Sequence, residues 1–165
     1  GLALAAFNTM RIMCIDPLLK ELIYLVTRDE ARHVTFGVNY LEYIVKHLSA
    51  EEIEERAQFA YEACVIMRER LIATEVFAEF GWDVEVSRKH MLDSSVMAYF
   101  NKFLFTRIMP NLARIGLLTE KVRPKFEALG ILEYENLVSD GDIDWATLSQ
   151  ALYQDPQPQT TPKAA

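Results

Sequence analysis

The stretch LVTRDEARHVTFG, residues 25–37, sets a carboxylate and an imidazole, Glu30 and His33, into a helical run of apolar residues. On either side of the pair, apolar or small residues recur in steps of three and four: Leu19, Ile23, Val26, then Gly37, Tyr40, Ile44 and Leu48. This spacing is the seam of a helix packed lengthwise in a bundle. Glu30 and His33 fill the gap in phase, so the pattern predicts that both face inward. An unpaired charge buried there would be strongly destabilising, so the pair needs a compensating partner.

Outward from this segment the chain reads as helix after helix. Asp16-Pro17 is a strong start, an N-cap followed by a residue pre-set for the first helical position. Before it, GLALAAF continues through Met10 and Ile12 into Cys14 and reads as the last turns of a preceding helix. The chain opens with Gly, and the expectation is a fragment or processed chain that starts inside a longer element. After it, Ser49 to Glu52 form a capping box opening a helix with the stripe Ile53, Ala57, Ala60, Cys64, Met67 and Leu71, which Gly81 is predicted to stop.

A third long helix is predicted from Asp83 or Ser87, carrying Leu92, Val96, Phe100, Phe103 and Leu104 until Pro110 kinks or ends it. Shorter helices follow at about 111–117 and 120–129, the second closed by Gly130. SDGDIDWATL reads as a turn and a short helix capped by Asp142 or Asp144, and the tail QDPQPQTTPKAA as disordered. No repeat, phosphate loop or strand-like alternation is present. The expected fold class is all-α: residues 1–109 as bundle, 110–153 as a short helical extension, 154–165 as tail.

Bulk properties exclude several function classes. With 165 residues the chain has the length of one domain, and its net charge of −7 with scattered basic residues leaves no footprint for nucleic acid or anionic lipid. No apolar run is long enough to span a bilayer. Cys14 and Cys64 lie far apart inside helical patterns and read as free thiols, which points to a reducing cytoplasm.

The chemistry concentrates on Glu30 and His33. Three residues apart, their side chains leave one face about 5–6 Å apart at Cβ, so one metal ion could be held between them. Asp29 and Arg32 have the same separation and suit a supporting role that fixes ligand geometry. The bland reading is an ion pair at a helix interface, in a domain that is structural rather than catalytic.

The run RDEARH followed by VTFG resembles the D-E-x-R-H motif on the fourth core helix of ferritin-like di-iron carboxylate proteins, a superfamily of monooxygenases, ribonucleotide reductase small subunits and related oxidases. The resemblance covers residues 1–48 and implies a ferritin-like helical bundle. In that architecture two helices each give a Glu and two others each give Glu-x-x-His. By resemblance, Glu30 would bridge the metals and His33 would be a terminal ligand, with Asp29 and Arg32 holding the surrounding hydrogen bonds. The implied function is an O2-activating oxidoreductase with two irons (manganese as the alternative), acting on a small organic substrate. Electrons would come from a separate reductase or ferredoxin.

The departures are specific. Only one Glu-x-x-His occurs, because His47 and His90 are preceded three back by Ile44 and Ser87. Residues 1–14, where the family places a lone Glu, contain no acidic residue. The expectation is that the first helix pair precedes Gly1 and that this chain carries half a site; completion by a second chain in a homodimer is the other arrangement.

Remaining candidates read as structural. Glu75 and Glu79 are expected on a water-facing shoulder, His90 with Asp93 as a surface pair, and Tyr99, Phe100, Phe103 and Phe105 as packing. Tyr40, Phe36 and Gly37 are expected in the core or beside a cavity, with Gly37 allowing close helix approach.

Overall fold

The computed structural model describes residues 1–69 and 72–142, and these are helical with no strand among them. In chain order the helices are α1 (Leu2–Met13), α2 (Pro17–Val45), α3 (Ala50–Glu69), α4 (Thr74–Glu79), α5 (Val84–Leu92), α6 (Ser95–Ile115) and α7 (Arg123–Ala128). Two 3-10 turns follow, Leu132–Tyr134 and Asp140–Asp142. The all-α bundle expected from the spacing is therefore observed, and no described helix is long and apolar enough to cross a membrane.

Local signals set the helix starts. The Asp16 carboxylate accepts from Leu19 N–H at 2.8 Å, with Pro17 in the first helical position. At Ser49 the capping box closes both ways: Ser49 N–H donates to the Glu52 carboxylate at 2.8 Å, and Glu52 N–H donates to Ser49 Oγ at 3.2 Å. Asp83 caps α5 by accepting from Val86 N–H.

Three boundaries differ from expectation. The segment after Ala50 is not one helix running to Gly81: α3 is described to Glu69, and Gly81, at φ +68°, ends the separate short helix α4. The third long helix is split, because Ser94 is a second cap, accepting from Met97 N–H at 3.2 Å, and begins α6 anew. Of the two expected effects of Pro110, ending the helix is not observed. The proline sits buried inside α6, where tertiary packing of Met109 and Asn111 outweighs the one backbone hydrogen bond that proline removes. Gly116, at φ +82°, ends α6 instead, in a left-handed conformation that a side chain would strain. The expected helix near 111–117 is thus the last part of α6, and α7 with Gly130 behind it matches the second.

α6 forms the centre. Phe100, Leu104, Phe105 and Met109 are fully buried, each contributing about 1.5–3 kcal/mol by removal from water. α1 and α2 pack on each other and both pack on α6. α3 joins the core through Ala57 and Cys64 and through Tyr61, which meets Phe126 of α7 edge-on at 5.6 Å. The packing reading of the aromatic run holds for Phe100 and Phe105, while Tyr99 is partly exposed and accepts from Asn8 Nδ2 at 3.0 Å. Glu75 and Glu79 face water as expected; His90 and Asp93 are both exposed and form no ion pair among the described residues. The helix predicted after Asp142 and the tail 154–165 lie outside the described residues.

Candidate metal centre

α2 is apolar on two faces. One holds Ile23, Thr27, Ala31, Thr35, Val38 and Val45, all buried against the rest of the bundle. The other, nearly opposite on a helix of 3.6 residues per turn, holds Leu18, Leu22, Val26, Phe36, Tyr40 and Tyr43, all exposed. Leu18 and Phe36 keep 79% and 72% of their surface in water.

Glu30 and His33 belong to the open face, not to the core. His33 Nδ1 lies 3.4 Å from Glu30 Oε2, and their side chains are 78% and 35% exposed. The expectation that both turn into this chain's interior is corrected: Glu30 sits at the border between the two faces and His33 in the middle of the outer one. The reason lies in side-chain size. The buried face uses small residues, Thr27, Ala31 and Thr35, which let neighbouring helices approach closely, whereas the spacing argument followed the larger residues. Both threonine hydroxyls are satisfied, Thr27 Oγ1 donating to the Ile23 carbonyl at 2.6 Å and Thr35 Oγ1 to that of Asp140 at 2.6 Å, so their burial leaves no unpaired group.

The rest of the motif keeps its expected spacing in the open. Arg32 Nη1 reaches Asp29 Oδ1 at 3.3 Å, both side chains exposed. Phe36 and Tyr40 stack on the outer face with ring centres 6.1 Å apart. Gly37 meets no neighbour that a Cβ would disturb, so close helix approach there is not observed within this chain.

Two donor atoms on one face, beside the exposed Asp29–Arg32 pair, fit half of a two-metal carboxylate–histidine set and no more. Among the described residues no third His, Cys, Asp or Glu joins them. Cys14 is partly exposed and Cys64 buried, and both are free thiols.

Three comparisons find no match. Neither protein-family models, nor curated proteins, nor solved structures match this chain.

The sequence reading missed a polar cluster behind α2. Asp140, 2% exposed, pairs with Arg107 Nη2 at 2.6 Å and accepts from Asn111 Nδ2 at 2.7 Å. Its backbone N–H donates to Asn111 Oδ1 at 2.8 Å, as does Ser139 Oγ. One turn on, Arg114 joins Glu42 at 2.9 Å and also Asn39 and Asp142. The available signal was the spacing of Arg107, Asn111 and Arg114, a polar row one helical turn apart at each step.

Proposed function

We propose that this chain supplies one Glu-x-x-His half of a two-iron, O2-activating oxidoreductase centre, the complementary donors coming from another helix pair. Glu30 and His33 would be the metal ligands, and Asp29 and Arg32 would hold the hydrogen bonds around them. Iron, or manganese in its place, suits this carboxylate–imidazole set, and when bound it supplies activation of O2 for oxidation of a small organic substrate. The residues of this chain hold the carboxylate and imidazole on a shared face and, through Leu22, Val26, Phe36 and Tyr40, surround them with hydrocarbon that excludes water once covered. Electrons would come from a reductase or ferredoxin, and the two free cysteines fit a reducing cytoplasm.

One observation carries the reading: a paired Glu and His lie on a long apolar face that faces away from the chain's own core. An exposed polar contact of this kind contributes little to stability, so stability is a weak reason for its presence. The same face supports a second reading, a non-catalytic helical interaction domain in which Glu30–His33 is an interface contact.

Metal analysis of the protein that carries this sequence, purified from iron-grown cells, separates the two. About two irons per site, lost in Glu30→Ala and in His33→Ala, is the expected result. No bound metal in parent or variants, with unchanged thermal stability, overturns the oxidoreductase reading and leaves the interaction domain.

A further inference from the structure

A helix with two apolar faces has no unique inside. A rotation of α2 by one residue position, roughly 100°, would put Glu30 where Ala31 now packs. The small side chains on the buried face favour the observed rotation, and polar contacts fix it further.

A row of polar contacts runs along one flank of α2. Thr35, Asn39 and Glu42 follow one another along that flank; Arg107, Asn111 and Arg114 follow one another along α6. The turn Asp140–Asp142 joins the two rows. Thr35 Oγ1 donates to the Asp140 carbonyl at 2.6 Å, Asn111 and Arg107 hold the Asp140 carboxylate, and Arg114 reaches Asn39, Glu42 and Asp142 together. The Arg114 guanidinium lies so close to Gly141 that a Cβ there would be 2.7 Å from its Cζ. The Asp140 carboxylate, N–H and carbonyl are all engaged. The Thr35, Asn111, Ser139 and Asp140 part of the network is buried, and turning α2 would break its Thr35–Asp140 bond, so the network favours one rotation of the helix.

We propose that the Ser139–Asp142 turn is a strap that fixes the rotation of α2, making Thr35 and Asp140 positioning residues for the Glu30–His33 pair. The inference rests on the metal reading for its functional meaning, while the rotation itself does not depend on any metal. With the strap fastened, the small-residue face turns in and the Glu30–His33 face stays available to the donors that complete the site.

The test uses the 165-residue chain with Cys14→Ser, so that Cys64, buried in α3, is the internal reference, and with Thr27→Cys as a reporter on the buried face of α2. Maleimide labelling of the two positions is followed by peptide mass spectrometry. Cutting the α2 end of the strap with Thr35→Val is expected to raise the labelling rate of position 27 relative to Cys64 by about tenfold or more (~1.4 kcal/mol), and Thr35→Ser is expected to restore it. An unchanged ratio overturns the proposal, and so does an equal rise at both positions, which would make Thr35 merely structural. In parallel, Co(II) is titrated against the His33 ring signals. Loss of response in Thr35→Val, regained in Thr35→Ser, supports the positioning role. A response unchanged in Thr35→Val overturns the positioning role, and the labelling ratio decides the strap whatever the outcome for the metal reading.

Discussion

Asp140 Oδ1 and Arg107 Nη2 stand 2.6 Å apart, with the Asp140 carbonyl bonded to Thr35 of α2 and Asp140 almost wholly removed from water. Removing one member leaves the other buried and uncompensated. Asp140→Ala is expected to cost about 3–5 kcal/mol in urea unfolding, far more than Asp29→Ala, whose partner Arg32 is exposed.

The two faces of α2 respond differently to substitution. Ala31→Leu adds volume where no space exists and is expected to cost about 1–3 kcal/mol, while Leu22→Glu and Phe36→Glu stay within about 0.5 kcal/mol of the parent. Urea midpoints measure all three. Unfolding caused by Phe36→Glu would mean that the large apolar residues, not the small ones, face the core.

Burial pushes the Cys64 thiol up to about 12 from its ordinary value of 9.0. The folded chain therefore holds the proton more tightly than the unfolded chain. Stability is independent of this group below about pH 9 and falls above it, by up to about 1.4 kcal/mol per pH unit until the folded group itself ionises. Unfolding measured from pH 8 to 11 should show the decline, and Cys64→Ala should remove this component of it.

Hydrogen bonds from Arg114 first, and then Lys46, hold the Glu42 carboxyl below its ordinary range. Its folded value is depressed, so its contribution is present above the unfolded pKa and disappears as pH falls through the folded one. NMR titration of the Glu42 side chain is expected to move upward in Arg114→Ala, and the shift in the parent to shrink in high salt because the carboxylate is partly exposed.

Much of the architecture was legible residue by residue. Asp16-Pro17, the Ser49–Glu52 box and Asp83 announce helix starts through hydrogen bonds that close within four residues, so neighbouring letters suffice to find them. Gly130 announces a stop in the same way. Pro110 misled because its local effect was outweighed by burial contributed from distant segments, and Ser94 was overlooked because an apolar run on both sides hid a cap. In the candidate site, the spacing of Glu30 with His33 and of Asp29 with Arg32 could be read directly, since one helix carries all four.

The chain's letters alone determined that α2 exists, where it begins, and that it carries a Glu and a His one turn apart. They did not determine which way that helix turns, because periodicity marks apolar faces without saying which one finds a neighbour, and α2 has two. Only the tertiary structure decided, through small side chains that admit α1 and α6 and through an aspartate more than a hundred positions away in sequence from the threonine it meets. A contact across such a separation leaves no local pattern, since its residues become neighbours only once the helices have packed.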